Sequence, residues 1–213
     1  VHLVGSPVVD TVSTGDIADD GEIRQALGVD PSNPFILFTQ HPVTTEPEKA
    51  FDQARASLDA LSEFRLPKIV TYPSSDPGSD GILKAISQWE KRSDFVIRRS
   101  LGKRLYLGCL RRCACVVGNS SSGILETPFF NVPSVNIGSR QAGRLQAGNV
   151  INVGYDKLEI KKSVEKALFD KDFLKNVDGC VNPYSGQNPS YKIAKYLSEV
   201  SLNEKILQKK MTF

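Results

Sequence analysis

The chain has 213 residues, 40% hydrophobic, 24% charged and 8% aromatic, ordinary globular proportions that exclude collagen-like, disulfide-scaffold and wholly disordered classes. Some 85 apolar residues (about 40% of the chain) are enough for a real core in one domain or one and a half. Twenty-seven basic and 24 acidic side chains give +3, interspersed, so no field points to nucleic acid or a membrane surface; no run nears the roughly 18 apolar residues of a membrane span, and no secretion signal opens the chain.

Residues 1–5 read as a strand already under way with no initiator methionine, as in a piece cut from a longer protein. The small, polar, acidic stretch 14–21 reads as a linker, so residues 1–20 are an interdomain strand and linker. Residues 21–27 predict a short helix stopped by Gly28, and 35–40 an apolar strand buried on both faces. Residues 46–64 predict a helix with Phe51, Ala54, Leu58 and Leu61 on one face. The alternation continues with strand 68–72, helix 79–90, strand 95–97, helix 104–113, strand 115–118, helix 123–130, strand 134–137, strand 150–153 and helix 158–169. A last helix, 189–197, packs back onto the body, and 205–210 is a frayed, solvated end. The expected plan is α/β: one domain over 21–200, a tail over 201–213, and a parallel sheet with helices on both faces.

Cys109, Cys113 and Cys115 form C-x3-C-x-C, with Cys180 apart and neither histidine nearby. Zinc sites pair two such units, so these read as buried free thiols suited to a reducing cytoplasm, with no metal.

In a parallel sheet, ligands bind at the carboxyl ends of the strands. The run Gly118-Asn119-Ser120-Ser121-Ser122-Gly123 there is a strand, a small-residue turn and a helix start. Its backbone donors and hydroxyls suit a phosphate, and equally an ordinary serine N-cap. Glu126, about one turn on, is either a solvated helix charge or an acceptor for vicinal hydroxyls such as a ribose. Pro128 keeps the helix short. Arg140 and Arg144 lie among glycines, where a phosphate grip competes with a plain exposed loop. His41 ends a buried strand beside Pro42, a place suited to an acid/base group or a phosphate partner, with a satisfied core histidine as the alternative. Asp76, in a Pro-Gly turn, is a turn residue by default.

The run GNSSSGILETPFFNVPSVNIGSRQAGR resembles the signature of the hydrolysing UDP-N-acetylglucosamine 2-epimerases, and HPVTTE and YPSSDPGSDG match further segments in order. The similarity extends from residue 1 to about 198. It implies the C-terminal domain of a glycosyltransferase-B-type fold, two Rossmann-like domains with the active site between. A missing N-terminal half would supply the acidic groups working at sugar C2. It implies that Ser120 and Ser121, with Asn119 and Ser122 in the same turn, hold the diphosphate; that Glu126 holds the ribose; and that Arg140 serves the nucleotide side. His41 matches the active-site histidine. The stretch 98–101, with Arg98 and Ser100, matches the uracil pocket, and Asp76 joins the substrate side. Ser74 stands where many relatives have Asn, which leaves a contact there in doubt. The implied reaction eliminates UDP to a glycal and adds water to give N-acetylmannosamine for sialic-acid-type synthesis. No cofactor is implied; the partners are the UDP-sugar, the missing domain and further copies in a homo-oligomer. A UDP-sugar glycosyltransferase donor domain shares the architecture, and a piece that binds UDP without turnover is a further alternative.

Overall fold

The computed structural model describes residues 2–13, 15–186 and 188–208. Strands β1 (Ile36–Thr39), β2 (Lys68–Thr71), β3 (Phe95–Arg98), β4 (Cys115–Gly118), β5 (Ser134–Ile137) and β6 (Val150–Val153) form one parallel sheet in the order β3-β2-β1-β4-β5-β6. Thr39 pairs with Thr71 on one side and Gly118 on the other, so the central strands end level. This is the doubly wound Rossmann order, and it fixes a crevice between β1 and β4.

The helices are α1 (Val8–Ser13), α2 (Asp20–Leu27), α3 (Ala50–Leu61), α4 (Ser79–Ser87), α5 (Gly102–Arg112), α6 (Ser122–Leu125), α7 (Lys157–Phe169), α8 (Lys171–Asp178), α9 (Pro189–Glu199) and α10 (Glu204–Leu207). Strand alternation divides the core between them. Ile36 and Phe38 of β1 join Val70, Val117 and Val135 under Leu58 of α3, Ile82 of α4 and Val164 of α7. Phe35 and Leu37 face the other way, with Ile69 and Val116, onto Ile23 of α2 and Leu107 and Leu110 of α5. Cys109, Cys113 and Cys115 are buried and free, and burial raises all three thiols, Cys109 and Cys115 to about 12. Such thiols are inert packing groups.

Several expectations are corrected. The opening strand is absent: residues 2–6 are irregular and lead into α1, with His2 lying 3.9 Å from the Tyr196 ring between centroids. Val-rich sequence forms a strand only where a ladder partner exists, and this segment meets α9 rather than a sheet edge. The α9 helix accordingly packs on α1, through Ser190 N–H donating to Asp10 Oδ2 at 2.8 Å, and Pro189 is its one buried residue. The 46–64 helix begins with a 3-10 turn, Pro47–Lys49, before α3. The 123–130 helix splits into α6 and a 3-10 turn, Thr127–Phe130, where Pro128 interrupts the ladder. Helix α8, not expected from the sequence, is capped by Asp170, which accepts from Phe173 N–H. The frayed end begins instead with the single turn α10, capped by Asn203; residues 209–213 lie outside the described residues.

Candidate active site

The segments leaving β1, β2, β4 and β5 converge on the crevice edge. Strand β4 comes close to β1 there because residue 118 is glycine. Its φ is 131°, and a Cβ would sit 2.7 Å from the Thr39 carbonyl carbon and nearer still to its oxygen.

Asn119 follows, 1% exposed. His41 N–H donates to its Oδ1 at 2.6 Å, and its Nδ2 donates to His41 O at 2.8 Å. Its carbonyl accepts from Gln141 Nε2 at 2.8 Å and Arg140 Nη1 at 3.1 Å. Asn119 thus bonds the His41 backbone through both of its side-chain polar atoms. It ties together the loops after β1, β4 and β5.

Because α6 is a single turn, its dipole is small, and what the serine turn offers a ligand is donors. The N–H groups of Gly123, Ile124 and Leu125 close onto the Ser120 and Ser121 carbonyls, and Ser122 N–H onto Ser120 Oγ at 3.4 Å. None of these donors is the N–H of Ser120 or Ser121. The turn separates two cavities. The first, about 440 Å³, is lined by Ser120, Glu126, His41, Ser100, Arg99 and Tyr106, with Thr39 and Thr71, whose hydroxyls bond each other at 2.6 Å. The second, about 420 Å³, is lined by Ser121, Arg140, Asp76, Thr44, Gln141 and Arg144. Arg140, expected on the nucleotide side, therefore lies across the turn from Glu126.

Arg98, expected with the stretch 98–101, does not line the first cavity. Its guanidinium folds back onto the carbonyls of Ile97, at 3.0 Å, and Ala26, at 3.4 Å, and Arg99 lines the first cavity in its place. Successive side chains at a strand end face opposite ways, so one residue decides which arginine enters.

Glu126 is not a solvated helix charge. Burial raises its carboxyl above the usual range, offset in part by the Ser122 hydroxyl. A half-desolvated carboxylate facing a cavity is an acceptor suited to ligand hydroxyls. No sequence signal marked Tyr106, whose buried oxygen lies beside the hydroxyls of Ser122, Ser120 and Thr39. Burial pushes that phenol up to about 12.

The His41 ring is held by the loop after β2: Ser74 N–H donates to Nδ1 at 2.9 Å. Burial, then the Arg140 charge, lowers its pKa to about 4, against an opposing pull from Asp76. His41 is therefore neutral at pH 7, with its proton on Nε2. A folded pKa below the ordinary value of 6.5 means that the unfolded chain takes up the proton first. Stability from this group is complete above about pH 6.5 and is lost as the pH falls toward about 4. Thermal melts over that interval should show the parent chain losing more stability than His41→Gln; parallel losses would contradict the burial.

Fold and site together define a Rossmann-like α/β domain with its cleft at the carboxyl edge of the sheet. The chain belongs to the UDP-N-acetylglucosamine 2-epimerase family, whose model matches residues 1–198. It is 30% identical over 209 residues to the UDP-N,N'-diacetylbacillosamine 2-epimerase (hydrolyzing) of Legionella pneumophila, covering 98% of this chain and 54% of that one. It is 29% identical over 167 residues to the UDP-N-acetylglucosamine 2-epimerase of Neisseria meningitidis serogroup B, covering 78% and 44%. The Neisseria meningitidis UDP-GlcNAc 2-epimerase structure bound to UDP-GlcNAc shares the fold, with a TM-score of 0.72 at 15% identity, over 93% of this chain and 55% of that one. The chain thus spans about half the length of the curated relatives it matches. No helix among the described residues is long and apolar enough to cross a membrane.

Proposed function

We propose that this chain is the UDP-binding, C-terminal half of a hydrolysing UDP-N-acetylglucosamine 2-epimerase, forming N-acetylmannosamine and UDP for sialic-acid-type synthesis in the cytoplasm. The observation that carries the reading is the serine turn standing between two cavities of different chemistry, Glu126 in one and Arg140 with Asp76 in the other. The diphosphate spans the turn on Ser120 and Ser121. The ribose meets Glu126 and the base reaches the stretch 99–101. The amino sugar lies on the Arg140 side.

The chemistry follows from that placement. A base from the other half takes the proton from sugar C2, the C1–O bond breaks with its electron pair leaving on UDP, and a glycal remains. Water then adds its oxygen to C1, and a proton returns to C2 from the opposite face. The charge that develops on the departing diphosphate is met by donors already in place: the serine turn and the neutral His41 through its Nε2–H. The related UDP-N,N'-diacetylbacillosamine enzyme of Legionella pneumophila is named as hydrolyzing, which supports this branch.

In the complete protein, Ser120→Ala should lower kcat by about 10²–10³-fold, the usual effect of removing one such donor. Release of UDP and N-acetylmannosamine from UDP-N-acetylglucosamine, assayed without any acceptor, tests the reaction. UDP release that requires an acceptor would make this a glycosyltransferase domain. On the chain itself, UDP binding measured by calorimetry should weaken in Glu126→Ala, and an unchanged affinity would remove Glu126 from the ribose site.

A further inference from the structure

A line of contacts runs from Asp76 through Ser74 to the His41 ring. Ser74 Oγ lies 2.6 Å from Asp76 Oδ2, the length of a hydroxyl donating to an ionised carboxylate, so the hydroxyl hydrogen sits on that bond. Ser74 Oγ is also 3.1 Å from His41 Nδ1, but with its hydrogen facing Asp76 it has none to give the ring. The donor to Nδ1 is the Ser74 backbone N–H at 2.9 Å. A proton on Nδ1 would point at that N–H, so Nδ1 must carry its lone pair. The turn bearing these groups is seated by Gly78, whose φ is 96° and whose Cβ would come within 3.0–3.1 Å of Pro47 O, Ala50 and Pro42. The turn is thereby pressed against the loop that carries His41.

We infer that Asp76 is a positioning residue: by holding the Ser74 hydroxyl it fixes the 74–76 turn so that Ser74 N–H locks His41 in the Nε2–H tautomer. Only the consequence in turnover rests on the proposed catalytic role of His41; the tautomer itself is a property of this chain. Asp76 thereby gains a role that its place in a Pro-Gly turn does not announce. The carboxylate acts on the ring at one remove, as the outer partner of a functional histidine does elsewhere.

Histidine-labelled chain tests this directly, because His2 and His41 are its two histidines. Long-range proton–nitrogen spectra at neutral pH should show His41 with Nε2 protonated and Nδ1 bare. Asp76→Ala should let the two tautomers exchange, and Asp76→Asn should restore the single form, since its amide oxygen still accepts from Ser74. Ser74→Ala, a smaller change to the turn, should reproduce Asp76→Ala, and the double variant should be no worse than either alone. In the complete protein the Ala variants should lose about 10–100-fold in kcat with KM nearly unchanged. The idea is overturned if His41 keeps one tautomer in both folded Ala variants. It is equally overturned if Asp76→Ala raises KM while Ser74→Ala is silent, which would make Asp76 a sugar contact. The spectra need no substrate, so failure of the epimerase reading would leave the tautomer result intact.

Discussion

Gly118→Ala should cost the chain about 4 kcal/mol or more, at the extreme of single substitutions. Two penalties combine. The backbone stays at φ 131°, a region L-residues rarely adopt, and the new methyl meets the Thr39 carbonyl, which is main chain in the adjoining strand and has no rotamer to escape into. Relief requires prising β4 from β1 at the centre of the sheet. A domain of this size typically holds only about 5–15 kcal/mol in all, so the variant would be marginal. Urea unfolding followed by circular dichroism gives the answer. A midpoint shift worth less than about 1 kcal/mol would mean that the close approach is not rigid. Gly138 differs in what a methyl would meet, the Tyr155 ring and hydroxyl rather than main chain, at a φ of 74°.

On the proposed mechanism, His41→Ala in the complete protein should depress kcat by about 10²–10³-fold, the usual effect of removing one donor to developing charge, while UDP affinity changes little. The separation is physical. In the proposed reading UDP is held by the serine turn and Glu126, whereas His41 is anchored to Asn119 by its backbone, which alanine keeps. The neutral Nε2–H contributes only where negative charge grows on the departing group, so its loss belongs in turnover rather than ground-state binding. Matching losses in kcat and UDP affinity would reduce His41 to a binding residue.

Much of this was legible in the chain itself, and the exceptions have physical causes. The run 35–40 declared a strand buried on both faces because its first four residues are all apolar, and the structure gives β1. Gly118 and the serines marked the turn because strand, small residues and helix follow one another locally. The opening segment misled because β-propensity carries no information about whether a partner strand is near. Arg98 and Arg99 could not be told apart without knowing where β3 ends. Asn119 looked like one more polar residue of the turn; its partners are 78 positions away at His41 and 21–22 away at Arg140 and Gln141, beyond any local pattern. The His41 tautomer has no local sequence signature for the same reason, since Ser74 N–H comes from another loop.

The Asn119 junction also governs how the crevice breathes. Three strand-end segments share one buried carboxamide and one main-chain oxygen, so none can swing outward while the others stay put. Amide hydrogens around residues 41, 119 and 141 should therefore trade with deuterium at a common rate set by a single opening, and Asn119→Ala should split that rate into separate ones.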